Sequence, residues 1–247
     1  MTTPPDPAVL YPDIAAHGTL AAALRAAAGG RLDSVRLTSR QFAPLRGVTV
    51  GCPLPHRRPL RISAGHHARQ WSIRGGDGFE DMTLIDGTTD DLAAVAEAAS
   101  AWHDGVELGD IRRATPFVHL TGRFEVPDLD PAGLVASAWQ HLRTEARELE
   151  YAWRPLYQAL IEAAHAEPAL RRLYPFTSHW SLRFSTRTRP RLRPVGASLV
   201  VDTPPVRYSV AEGFPNEDDP VFPTPAEAVS AAVRRLPPYL PPVALGC

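Results

Sequence analysis

Two tetrapeptides of one pattern, Trp71-Ser72-Ile73-Arg74 and Trp180-Ser181-Leu182-Arg183, constrain what this chain folds into more than any other feature. Each is followed by further strand-like sequence and then by an alanine-rich helical segment. The apolar stripes of those segments share one spacing: Leu92, Val95, Ala96 and Ala99 in the first, Val229, Ala232, Val233 and Leu236 in the second. Residues three and four apart lie on one face of a helix, so each stripe needs a sheet or another helix to cover it. Helical sequence also precedes each half. The reading is an α+β fold of two pseudo-repeated α-β-β-(β)-α units, each an antiparallel sheet packed on helices. They span residues 1–125 and 131–247 and are expected to form one compact unit. A chance match of three residues is the competing reading of the quartets.

Local signals place the elements. A helix is expected over residues 12–28, broken near Gly18, with Thr19 capping its second piece and Gly29-Gly30 ending it. Residues 69–74 and 79–85 read as a hairpin whose turn, Gly75-Gly76-Asp77-Gly78, offers positive-φ positions. A helix from Asp90 or Asp91 to His103 stops at Gly105. Asp130 caps the strongest helix, with Pro131 in its first turn and Leu134, Val135, Ala138, Trp139, Leu142 and Leu149 along its stripe. Another follows over 155–165, with a short piece after Pro168. Strands are expected at 179–186, 198–202 and 207–211. Thr224, Pro225 and Glu227 open the last helix as a capping box, and two proline pairs, 237–238 and 241–242, leave an extended tail.

Composition removes several chemistries. All 26 basic residues are arginine, against 27 acidic ones. Without lysine there is no Schiff-base lysine and no P-loop or kinase-type lysine. A net charge of −1 argues against a nucleic-acid-coating protein. Cys52 and Cys247 make no disulfide framework, which fits a reducing cytoplasm. The opening Met1-Thr2-Thr3-Pro4-Pro5-Asp6-Pro7 has neither the basic nor the apolar region of a signal peptide. No run of eighteen apolar residues spans a bilayer, so no membrane partner is expected.

On a continuous strand over 176–186, Trp180, Leu182 and Phe184 would share one face, and His179, Ser181, Arg183 and Ser185 the other. Such a polar row can line a groove, with Arg183 anchoring a carboxylate, His179 moving a proton and Ser181 orienting. Ser72 and Arg74 are the counterparts in the first half. The solvated face of a sheet is the other reading. Arg187, Arg189, Arg191 and Arg193 alternate with Thr188, Pro190, Leu192 and Pro194. Extended, they would present four guanidinium groups to an anion, or form a charged, protected edge. His56-Arg57-Arg58, Arg61 and His66-His67 make a second basic patch.

Residues 173–186, from Leu173-Tyr174-Pro175 to Ser185-Thr186, resemble an uncharacterised actinobacterial family of unknown function labelled "natural product biosynthesis protein". Tyr11-Pro12, the helix ending in Trp102-His103-Asp104-Gly105, the segment Thr224 to Val229 and Leu236-Pro237 are similar too. The resemblance implies a setting in secondary metabolism and supplies no site residues.

Metal and triad signals are absent. There is no His-Glu-x-x-His, Cys-x-x-Cys or His-x-x-x-His, and Gly196-Ala197-Ser198 lacks the second glycine of a nucleophile elbow. No cofactor is expected. Two functions remain: an accessory protein binding a polar or anionic intermediate or precursor peptide, with a cofactor-free cyclisation or isomerisation as its chemistry, or a non-catalytic module that binds or protects a protein partner. The first bets on His179 and Ser181 for catalysis and on Arg183, Arg74, Ser72, Arg187 and Arg189 for binding.

Overall fold

The computed structural model describes residues 5–202, 207–213, 216 and 218–247, and the chain divides into two compact units, Met1–Thr121 and Gly122–Cys247. The start of the chain, residues 1–4, lies outside the described residues.

The first unit runs α1 (Pro7–Leu10), α2 (Pro12–Ala16), α3 (Leu20–Ala27), β1 (Leu37–Ser39), β2 (Gly47–Val50), β3 (Leu60–Ala64), β4 (Trp71–Gly76), β5 (Thr83–Thr89), α4 (Leu92–His103), α5 (Leu108–Ala114) and β6 (Val118–Leu120). Its six strands form one antiparallel meander in chain order. Thr19 accepts the Ala22 N–H and Asp91 those of Ala93 and Ala94, so both helix starts follow from short polar side chains taking otherwise unpaired donors. Leu20, Leu24, Val95, Ala96 and Ala99 pack with Val48, Val50, Leu60, Ile62, Trp71 and Ile73 in one core. Strand alternation leaves the residues between them on the opposite, uncovered sheet face.

The β4–β5 connection differs from expectation. Gly75 and Gly76 stay in β4, and the turn is built by Asp77, whose carboxylate accepts the Phe79, Glu80 and Met82 N–H groups. The positive-φ residue is Asp81, at 56°. Gly75 has a different reason: a Cβ there would lie 2.6 Å from the Trp102 ring. Arg57 is no surface patch either. It is buried, stacks 4.7 Å from the Trp102 ring and donates to the Val106 carbonyl.

The second unit runs α6 (Pro131–Glu148), α7 (Arg154–Ala166), α8 (Pro168–Arg171), β7 (Tyr174–Ser178), β8 (Ser181–Ser185), β9 (Arg187–Pro190), β10 (Pro194–Asp202), β11 (Arg207–Ala211), β12 (Val221–Phe222), α9 (Pro225–Arg234) and β13 (Ala244–Gly246). Its main sheet has the order β12-β11-β10-β8-β7, while β9 pairs in parallel with β13. Asp130 caps α6 through the Gly133 N–H, and Thr224 caps α9 through that of Glu227. Trp139, Leu142, Tyr157, Leu160 and Ala228 pack with Tyr174, Leu182, Phe184 and Leu199 in a separate core.

The fold is therefore α+β with antiparallel sheets and helices in each unit. The internal repeat is not confirmed. Trp71 is fully buried within β4, whereas Trp180 sits in the β7–β8 turn and is 41% exposed.

Candidate functional site

The strand expected from His179 begins only at Ser181, because His179 and Trp180 are the turn of a hairpin in which Ser178 faces Ser181. Both have positive φ, 50° and 64°, as a two-residue hairpin turn needs at its central positions. That backbone costs a side-chain-bearing residue roughly 1–3 kcal/mol. The Trp180 ring offsets it by packing edge-on against Trp153, Tyr151 and Tyr157, with centroids 5.2 to 5.9 Å away.

The polar row proposed on this strand does not form. His179 is outside it and contacts Ser178. Ser181 is buried, and Arg183 is half-buried over the Phe176 ring. Ser185 is fully buried, accepting the Arg187 and Arg193 N–H groups and donating to the Arg187 carbonyl. The arginine series also departs from a single strand. Only Arg187 and Arg189 lie on β9, whose inward residue is Thr188, and Arg191 and Arg193 fall in the turn before β10. Tyr174-Pro175-Phe176, just before the β7–β8 turn, is core strand.

Ser72 and Arg74 do reach solvent together. They stand on the uncovered face of the first sheet with Arg61, Ser63, Asp86, Thr88 and His119, around a recess of about 600 Å³. They belong to a different compact unit from Ser181 and Arg183.

A larger groove, about 810 Å³, lies in the second unit and includes none of the residues singled out as site candidates from sequence. Its floor is one face of α6: Ala132, Val135, Ala136, Trp139, Gln140 and Arg143 recur at three- and four-residue steps. His165 at the end of α7, Arg171 and Arg172 after it, and the tail Leu240-Pro241-Pro242-Val243 form the walls. Trp139 fixes the corner by donating its indole N–H to the Arg171 carbonyl at 3.0 Å, with the His165 ring edge-on at 5.3 Å.

The charges in this groove are unequal in freedom. Arg143 is held by Glu162, with Nε 2.9 Å from both carboxylate oxygens. Arg171 and Arg172 are exposed, and their guanidinium groups have no protein partner among the described residues. Burial holds the His165 imidazole below its ordinary pKa; Arg143 and Arg171 add to that, and Glu162 opposes it. The neutral form of the His165 ring is thus favoured over the charged one. Among the described residues, no three His, Cys, Asp or Glu side chains are grouped to hold a metal ion.

Sequence reasoning missed this groove because its parts are far apart along the chain. The available signal was α6, which is apolar at Ala132 and Ala136 beside its core stripe, to which Val135 and Trp139 belong.

Residues 133–247 match a family of unknown function (DUF6193). The matched segment contains every groove residue except Phe124, Asp130, Pro131 and Ala132. No curated protein and no solved structure matches the chain.

Proposed function

We propose that this protein binds a small molecule with an apolar body and an anionic head in the groove of its second unit. The observation that carries the reading is the pairing of an apolar floor, Val135, Ala136 and Trp139, with two uncommitted guanidinium groups, Arg171 and Arg172, at one end. Pockets that bind small molecules are commonly apolar, with a few convergent polar groups fixing orientation. An intermediate or short precursor peptide of a biosynthetic pathway suits it, and that setting rests on the family resemblance. The two cysteines are unpaired, which supports a place in the cytoplasm, and no helix among the described residues is long and apolar enough to cross a membrane.

His165 is the group that would move a proton in a cofactor-free cyclisation or isomerisation, taking the role first assigned to His179. A suitable probe is 1-anilinonaphthalene-8-sulfonate, an aromatic body with a permanently charged head. A hydrogen bond to a charged group contributes about 1.5–3 kcal/mol. Arg171→Gln and Arg172→Gln should therefore each weaken binding by roughly tenfold or more, and equal affinity in both variants and the parent would sink the assignment.

A second reading has its own observation. Tyr151 and Trp180 are 55% and 41% exposed within one aromatic cluster, a surface suited to a protein partner. Under it, a Trp180→Ser protein would stay folded and lose a stoichiometric partner that co-purifies with the parent; retention of that partner would reject it.

A further inference from the structure

On the first sheet, Arg61 of β3 stands directly opposite Arg74 of β4, and the next pair along the same face is Ser63 opposite Ser72. Like charges directly opposite across two strands are destabilising. One carboxylate on the same face, that of Asp86, offsets part of this repulsion without pairing with either guanidinium. Asp86, the cross-strand neighbour of Arg74 on β5, is bonded to His119 at 3.2 Å, and Asp81 is bonded to Arg58 at 3.0 Å. Neither Arg61 nor Arg74 makes an ion pair or side-chain hydrogen bond there. Both line the 600 Å³ recess and an adjoining polar one of about 200 Å³.

We propose that this face is a second anion site, taking a small phosphate monoester between Arg61 and Arg74. Two guanidinium forks on neighbouring strands match the oxygens of a dianion, and the Ser63 hydroxyl lies further along the same face, while that of Ser72 donates to the Ser63 carbonyl at 3.4 Å. Phe117, at one end of the recess, offers a ring to the ligand's organic part. The ligand neutralises the part of the repulsion that Asp86 leaves, so the remaining cost to the fold becomes a gain on binding.

The proposal is independent of the groove in the second unit, and the test separates them. Phenyl phosphate is titrated calorimetrically into the full-length protein at constant ionic strength, with inorganic phosphate as the minimal probe. Arg61→Gln and Arg74→Gln should each weaken binding at least tenfold, while the Arg171→Gln/Arg172→Gln protein binds as the parent does. Without ligand and at low salt, Arg61→Gln should also melt at a higher temperature than the parent, which a merely structural arginine would not do. Unchanged affinity in both sheet variants, no binding by the parent at millimolar ligand, or loss confined to the Arg171/Arg172 variant would overturn it. Should one glutamine variant fail to fold, the other carries the same prediction, and charge-keeping Arg74→Lys should bind more weakly than the parent.

Discussion

Gly75 and His165 show how single positions carry the account. Gly75 is glycine because the Trp102 ring occupies the space of a side chain, and the φ of this residue is not positive. Gly75→Ala should destabilise the first unit by about 1–3 kcal/mol, read from the denaturant midpoint; a smaller loss would mean that Trp102 moves aside freely. His165 has the opposite kind of consequence, in pH. Its folded pKa lies below the ordinary 6.5, with burial as the main cause and Arg143 and Arg171 adding to it. The neutral ring's contribution is complete above that unfolded value and is lost as pH falls through the lowered folded one. His165→Gln should flatten the loss of stability over that acid window. A parent and variant with parallel stability curves between pH 7 and 5 would contradict this.

At the scale of elements, the C-terminal strap decides the groove. Leu240 to Val243 wall it, and β13 pins them to β9, where Gly246 fits only without a side chain. A Cβ at Gly246 would lie 2.1 Å from the Thr188 carbonyl oxygen and 2.9 Å from that of Arg189. Gly246→Ala should free the tail beyond Leu236 to limited proteolysis and weaken probe binding in the groove, with the far-UV spectrum unchanged. A tail as resistant as in the parent would show that the pairing tolerates the methyl group.

Elements with local causes were the legible ones. Thr19, Asp91, Asp130 and Thr224 start helices because each side chain takes an N–H two or three residues on, and a sequence states that directly. The β7–β8 turn was not legible. Period-2 alternation runs on through His179-Trp180, and what permits positive φ there is a ring cluster contributed by Tyr151, Trp153 and Tyr157 from α7 and the residues before it. The same gap hid the parallel β9–β13 pair, whose partners are distant along the chain.

Across the whole molecule, the α+β class followed from apolar periodicity, yet the site did not follow from the repeated quartets. The quartets end in different surroundings, one on an open sheet face and one at a turn over buried strand. The groove arises instead where α6, the end of α8 and the tail converge within the second unit, mostly on the segment that carries the family match. Its binding role is the central claim, and Trp139 reports on it directly, since its indole N–H bonds to the Arg171 carbonyl at the arginine end. The decisive measurement is the set of five tryptophan indole N–H resonances during titration with 1-anilinonaphthalene-8-sulfonate. We expect the Trp139 resonance to shift saturably while those of Trp71 and Trp102, buried in the other core, stay in place. Saturable binding that leaves Trp139 unmoved would contradict the assignment.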